Sequence, residues 1–423
     1  MGFKLDLGSY QRKAPSNIPN CLEDLIRNDK MLCRLLNLIY SHDHNDIESI
    51  EVRPLSPCSD IKGNLSVSGR LAINVKTYGG ARHEYNWFVK IQPEDKHRNS
   101  ELVTQFNLFE NEIEFYQKIV PELEEFVGES NEGSAIYFDI PKLIFSEVEK
   151  NRAIIILEDL VGAGFKQTKD FNGEKYLSLD ATILAVESIA KIQAASYALQ
   201  VKKNIDLGQI HPNLEVSGKL WYNEEMASRL TVMKDYYCDI LEESKNPDSP
   251  VLVERFRKTF DSPEKLMEIV NRRVSQEENG KSSIHCLQQG DFHFNNLMFK
   301  LEADGRTSVK IVDWQMAYTG RAGGDIAYLL MSSINPELYE TDEDTIKEKY
   351  FEMFNETFYS LIREKKWMNK EEKVERMLEQ DYTESLPIGF LFSCGNVMST
   401  GDQQRKVTFA YNLCNEAASK NLI

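Results

Sequence analysis

Apolar and polar positions along the chain change rhythm several times, and each change predicts an element. After a polar lead, residues 1 to 50 carry a helical pattern from Leu22 to Tyr40. Trp87-Phe88-Val89-Lys90-Ile91 is a strand-like run with one lysine inside it, and it follows the hairpin signal Gly79-Gly80. Leu102, Phe106, Phe109, Ile113 and Tyr116 recur at spacings of three and four, the stripe of an amphipathic helix. Ile154 to Leu160 reads as a buried strand running into a connection, and Gly162-Ala163-Gly164 then breaks the regularity. Leu179 to Leu199 is a long helix, and residues 211 to 280 and 337 to 423 are charged and helical in pattern. No internal repeat or low-complexity tract interrupts this order.

The densest chemistry lies between residues 288 and 330. Two apolar runs, Leu297-Met298-Phe299 and Val309-Lys310-Ile311-Val312, flank Asp304-Gly305, a hairpin signal because the turn needs positive φ. With Asp304 and Gly305 as a two-residue loop, Asn296 stands opposite Asp313. Paired residues lie roughly 4.5 to 5.5 Å apart, close enough for an amide oxygen and a carboxylate to share a cation. A looser loop shifts the register but leaves both residues at the same end of the hairpin. Asp291 precedes Asn296 by five residues, in a Gly-Asp segment able to loop over that end. Ligands that are all oxygen suit Mg2+, which keeps waters and substrate phosphates in its shell.

The step from Asp291 to Asn296, with Asp313 after the next strand, resembles the catalytic and metal loops of kinase-like enzymes. The finer pattern is Gly290-Asp291, Asn295-Asn296-Leu297-Met298-Phe299, Asp313-Trp314-Gln315 and Asp325-Ile326-Ala327-Tyr328-Leu329. It resembles the aminoglycoside phosphotransferase and choline kinase branch, and most of all the ecdysteroid-kinase-like (CHK kinase-like) family. Glu112-Ile113-Glu114-Phe115-Tyr116 with Pro121, and Ile156-Leu157-Glu158-Asp159-Leu160, extend the likeness into the N-terminal half. The chain departs from the family at Gln289, which stands before Gly-Asp where a histidine is usual, and at Gln193.

This resemblance implies an α+β, bilobal, kinase-like fold: a small, mostly antiparallel β lobe and a larger helical lobe with the active site between them. It divides the chain into an N-terminal extension (1–50), a nucleotide-binding lobe (51–158) and a second lobe (159–423) holding the catalytic loop and the acceptor side. The implied activity is transfer of a phosphoryl group from ATP, with Mg2+, to a hydroxyl of a small molecule such as a steroid, an amino alcohol or a xenobiotic. Asp291 would take the hydroxyl proton, and Asn296 and Asp313 would hold the metal. Lys90 would bind the nonreacting phosphates, Glu112 would orient Lys90, and backbone groups near Glu158 and Leu160 would bind adenine. Asp325 would brace the catalytic loop through backbone N–H groups. His293 is an alternative base. Gly63 to Arg70 is the candidate phosphate loop, although it lacks G-x-G-x-x-G and reads equally as hairpin punctuation.

Two rival readings stay open. A protein kinase needs room for a peptide-docking segment, yet eleven residues separate Asp313 from Asp325 and no Ala-Pro-Glu follows. A noncatalytic nucleotide-binding regulator is motivated by Gln289 and the missing glycine signature. Composition narrows the rest. The formal charge of -17 argues against nonspecific nucleic-acid binding, and no 18-residue apolar run predicts a membrane span. Seven cysteines without C-x-x-C pairs predict neither a disulfide framework nor a zinc site. Met1 to Lys13 has no apolar signal core, and Asp6 stands where a myristoylation motif needs Ser or Thr. The expectation is a cytoplasmic enzyme with no protein partner implied. Trp221, Tyr222, Trp314, Phe390 and Phe392 suit either a pocket for an apolar or cationic acceptor or a core.

Overall fold

A computed structural model describes residues 22–41, 46–55, 66–93, 100–130, 136–149, 152–168, 176–221, 224–272, 277–278, 281–334, 336–362, 371–399 and 403–423. The chain divides into two compact units, one of residues 1–105 and 142–159 and one of residues 106–141 and 160–423.

The first unit is a five-stranded antiparallel sheet in the order β1-β2-β3-β5-β4, built from β1 (Ile47–Pro54), β2 (Val67–Thr77), β3 (Arg82–Ile91), β4 (Leu143–Glu149) and β5 (Arg152–Glu158). Side chains alternate across a sheet, so each strand offers two stripes. One stripe is wholly apolar. Leu71, Ile73, Val75, Trp87, Val89, Ile91, Ile154 and Ile156 pack against Leu22, Leu25, Met31, Leu32, Leu35 and Leu36 of helices α1 (Leu22–Ile26) and α2 (Asp29–Tyr40). The expected single helix from Leu22 to Tyr40 is therefore two. The Asn28 side chain accepts the Met31 N–H at 3.1 Å and caps the second helix, which forces the break. The opposite stripe holds Ser68 beside Lys90, Arg70 beside Phe88, and Ile155 and Leu157 on β5. A short helix, α3 (Ser100–Gln105), follows the sheet's third strand.

The stripe from Leu102 to Tyr116 also breaks where one helix was expected. Asn107 adopts positive φ between α3 and α4 (Leu108–Glu114), and a π-helical turn at Phe115–Ile119 leads into α5 (Val120–Ser130). Pro121 explains the wide turn. Its ring would clash with a carbonyl four residues back in a regular helix.

The second unit is mostly helical around a small β element. Two-residue β6 (Lys166–Gln167) joins the hairpin of β10 (Leu297–Leu301) and β11 (Thr307–Ile311), while β9 (His285–Gln288) pairs with β12 (Tyr318–Arg321). Helix α6 (Leu179–Lys203) is capped by Ser178, whose side chain accepts the Ala181 N–H. Along α6 runs the later helix α13 (Pro336–Ile362). Helix α12 (Gly324–Ser333) is buried over its whole length and meets α14 (Glu371–Ser399). At their closest approach a Cβ on Gly389 would stand 2.7 Å from the Ala327 backbone, so only glycine fits unshifted. Tyr237, Phe256, Phe260 and Phe390 form an aromatic core, and Phe392 meets Tyr328 edge-on. Trp314, Phe390 and Phe392 are thus buried. The side chains of Trp221 and Tyr222 lie outside the described residues.

Candidate active site

The loop between β9 and β10 is anchored before its chemistry begins. Gly290 has φ +91°, and a Cβ there would stand 2.1 Å from the Met316 carbonyl oxygen, so backbone passes against backbone. Asp325, at the start of α12, accepts the Gln289 N–H at 2.7 Å on one oxygen and the Gly290 N–H at 3.1 Å on the other. The bracing expected of Asp325 is therefore what its carboxylate does. Gln193, from the middle of α6, donates to the same carboxylate at 3.1 Å, and Tyr350 of α13 donates to the Gln193 amide oxygen. Burial pushes the Tyr350 hydroxyl well above its ordinary pKa, which keeps it a proton donor.

Gln289 joins the two halves of the loop system. Its side-chain oxygen accepts the Asp291 N–H at 2.8 Å, while its nitrogen donates to the carbonyls of Val312 and Asp313 at 3.0 and 2.7 Å. One uncharged amide thus spans the backbones of Asp291 and Asp313. Asn296 donates to the Asp291 carbonyl at 2.8 Å and to its carboxylate at 3.2 Å, which brings these two predicted residues together. With its nitrogen committed to Asp291, Asn296 has its amide oxygen for other work. His293 Nε2 lies 3.4 Å from the same Asp291 oxygen. Its Nδ1 accepts the Asn295 N–H at 3.4 Å, which puts the ring proton of a neutral imidazole on Nε2. The Asp291 side chain keeps 30% of its exposure and stays open to solvent.

The hairpin register differs from the two-residue expectation by one. Leu297 pairs with Ile311 and Leu301 with Thr307, and Glu302 N–H donates to the Arg306 carbonyl. Ala303, Asp304 and Gly305 therefore form a three-residue loop, with Gly305 at φ +85°. This is the longer hairpin with a left-handed glycine. Asn296 stands opposite Val312, whose N–H donates to the Asn296 carbonyl at 3.0 Å, and not opposite Asp313. Slipping by one residue would turn a side chain to the other face. Asp313 instead leaves the strand in the left-handed conformation, φ 62° and ψ 66°, which re-aims it. Its carboxylate accepts the Gln315 amide at 3.4 Å.

Asn111, which the sequence did not single out, and the aromatic pair Phe115 and Trp314 hold this turn in place. Asn111 donates to the carbonyls of Gln315 and Ala317 at 3.0 and 2.8 Å. Trp314 stacks on Phe115 with ring centroids 4.1 Å apart and donates to the Ile311 carbonyl. Asn111 immediately precedes the Glu112-Ile113-Glu114-Phe115-Tyr116 block and Phe115 lies within it, so the motif pointed at this segment but assigned a role only to Glu112.

The remaining predicted residues fall in one unit or the other. In the first unit Lys90 is buried on β3, on the stripe facing away from α1 and α2. Glu158 ends β5, donates its N–H to the Lys142 carbonyl at 3.0 Å and accepts the Lys142 N–H on its side chain at 2.9 Å. Of the candidate phosphate loop, Gly63 to Leu65 lie outside the described residues, and Val67 to Arg70 are strand. In the second unit Glu112 is buried on α4, and the Leu160 carbonyl accepts the Phe165 N–H.

Among the described residues no group of three or more His, Cys, Asp or Glu could hold a metal by itself. The two residues that the resemblance assigns to a metal, Asn296 with its amide oxygen and Asp313 with its carboxylate, offer hard oxygens of the sort Mg2+ takes together with water and phosphate. The donor chemistry fits.

No curated protein matches the chain in sequence. Among solved structures, a mutant of aminoglycoside 2'-phosphotransferase-IIIa in its GDP complex aligns with 93% of this chain and 98% of its own, at 13% identity and a TM-score of 0.36. The ecdysteroid kinase-like family matches residues 62–362, a span holding both the lysine strand and the whole of the loop system just described. The chain belongs to the ecdysteroid kinase-like family.

Proposed function

We propose that this protein is a small-molecule O-kinase, moving a phosphoryl group from ATP to an alcohol. Family membership supports a phosphotransferase of small molecules in general. The observation that carries the finer reading is the Asp291–Asn296 pair: Asn296 turns its nitrogen to Asp291 at 2.8 and 3.2 Å. That orientation reserves the Asn296 oxygen for a cation and steadies a carboxylate that remains open to solvent.

Phosphoryl transfer passes through a loose transition state, so the chain's task is positioning and charge placement. Asp291 orients the acceptor hydroxyl and accepts its proton as the oxygen attacks phosphorus. Asn296 and Asp313 hold the metal, which when bound neutralises charge on the phosphates. Lys90 binds the nonreacting phosphates, Glu112 sets its rotamer, and the backbone at Glu158 and Leu160 takes the adenine. Gln289 keeps Asp291 and Asp313 in fixed relation without carrying charge itself.

A small acceptor is favoured over a peptide. Between Asp313 and Asp325 every residue is buried except Thr319, which is half-buried, so this run offers no open segment for a peptide to dock on. No helix among the described residues is long and apolar enough to cross a membrane. The test is a panel of hydroxylated steroids, amino alcohols and xenobiotics incubated with protein and MgATP and read by mass spectrometry. A gain of one phosphate group in a panel member, absent without Mg2+, is the expected result. MgATP binding with no phosphorylated product across the panel would instead favour the noncatalytic regulator.

A further inference from the structure

The sheet unit contains an ion pair that the proposed chemistry does not use. Arg70 on β2 meets Asp159, the residue after β5, with Nε and one terminal nitrogen each 2.7 Å from a different carboxylate oxygen. This is the two-pronged geometry in which guanidinium and carboxylate bind most strongly. The Asp159 side chain is 1% exposed and that of Arg70 17%. Burying a carboxylate is costly unless it is paired, so the fork fixes where Asp159 sits.

Its position gives the fork a task. Arg70 pairs with Phe88, and the neighbouring Trp87 pairs with Glu158, so the arginine reaches past β3 to the end of β5. From the other flank, Lys142 exchanges two hydrogen bonds with Glu158. The backbone at 158 and 159 is therefore held from both sides where the strand becomes the connection. Resting on the proposed reading that Glu158 and Leu160 bind adenine through their backbones, we infer that Arg70 and Asp159 are positioning residues for the nucleotide. They pre-order the connecting backbone and so lower the cost of ordering it when the base binds. The fork is specific to arginine, because a lysine offers a point charge and cannot engage both oxygens in one plane.

The test uses the full chain with MgATP and MgADP as probes in calorimetric titration, and thermal unfolding alongside. Arg70→Lys and Asp159→Asn should each weaken both nucleotides by roughly tenfold, the scale of one charge-assisted hydrogen bond. The double variant should be no weaker than either single one, since the two act as a unit. Asp291→Asn should bind both nucleotides as wild type does. Variants that lose thermal stability yet keep wild-type affinity would overturn the inference and leave the fork a structural brace. Wild-type protein that binds no MgATP would overturn the adenine reading and the inference with it, so the two failures are distinguishable.

Discussion

At the scale of single residues, Gln289 is the least expected part of the site and the most informative. A neutral imidazole offers one donor and one acceptor on a rigid ring, whereas this amide gives two donor bonds and takes one. Gln289→Ala would leave the Asp291 N–H and two carbonyls without their partner. We predict a loss of about 1–3 kcal/mol in stability by denaturant unfolding and a drop of more than tenfold in transfer rate. A variant with wild-type rate would show that Asp291 and Asp313 do not need this bridge. The motif residues were legible because sequence alone carries their order and spacing. Gln289's threefold role was not, because a side chain's partners depend on a register that spacing does not fix.

At the scale of elements, the apolar runs located the β10 and β11 hairpin but not β9 or β12, and the helical stripes gave no sign of their interruptions. Arg27-Asn28 and Asn107 each break a helical stripe whose apolar spacing continues unbroken. A cap or a positive φ costs little in pattern while changing the path of the backbone. The hairpin shows the same limit, since Asp304-Gly305 serves a two- or a three-residue loop and the choice moves Asn296 by one register. Two predictions belong here. Gly389→Ala would set a Cβ 2.7 Å from the Ala327 backbone, and overpacking of this sort costs about 1–3 kcal/mol. Unfolding midpoints in urea would detect it, and an unchanged midpoint would mean that α12 and α14 can separate freely.

The second concerns how α14 is tied to the β9 and β12 pair. Asp381 accepts the Ile284 N–H at 2.7 Å and the Arg321 guanidinium at 3.1 Å, and Glu384 also pairs with Arg321. Burial pushes the Asp381 carboxyl up to about 7 from its ordinary 3.8, against the opposing pull of the Ile284 N–H and Arg321. A raised carboxyl binds its proton more tightly in the folded state. Its contribution to stability is therefore full below about pH 4, declines as pH rises toward 7 and is flat above that. The difference in Tm between wild type and Asp381→Asn should fall from pH 4 to 7. A difference that rises with pH would mean that the carboxylate is held ionised by Arg321.

At the scale of the whole molecule, the family match from residue 62 to 362 spans both the lysine strand in the sheet unit and the loop system in the helical unit. Its C-terminal end falls at Ile362, the last residue of α13, so α14 and α15 (Gln403–Ser419) lie beyond it. These later helices were legible only as charged and helical. Their apolar positions pack into the second unit's core, where Phe390, Leu391 and Ala410 are buried. Helical rhythm announces such burial without naming the partner. The charge of -17 likewise bears on solubility and encounter more than on fold.

The most direct test of the account is phosphoryl transfer by Asp291→Asn beside wild type, on whichever hydroxylated acceptor the mass-spectrometric panel identifies and at saturating MgATP. The substitution keeps the size of the side chain and removes its capacity to take a proton. General-base catalysis is worth roughly 100- to 10,000-fold, so kcat should fall by at least 100-fold while nucleotide affinity stays within about twofold. A variant that phosphorylates the acceptor at the wild-type rate would contradict the assignment of Asp291 as the base.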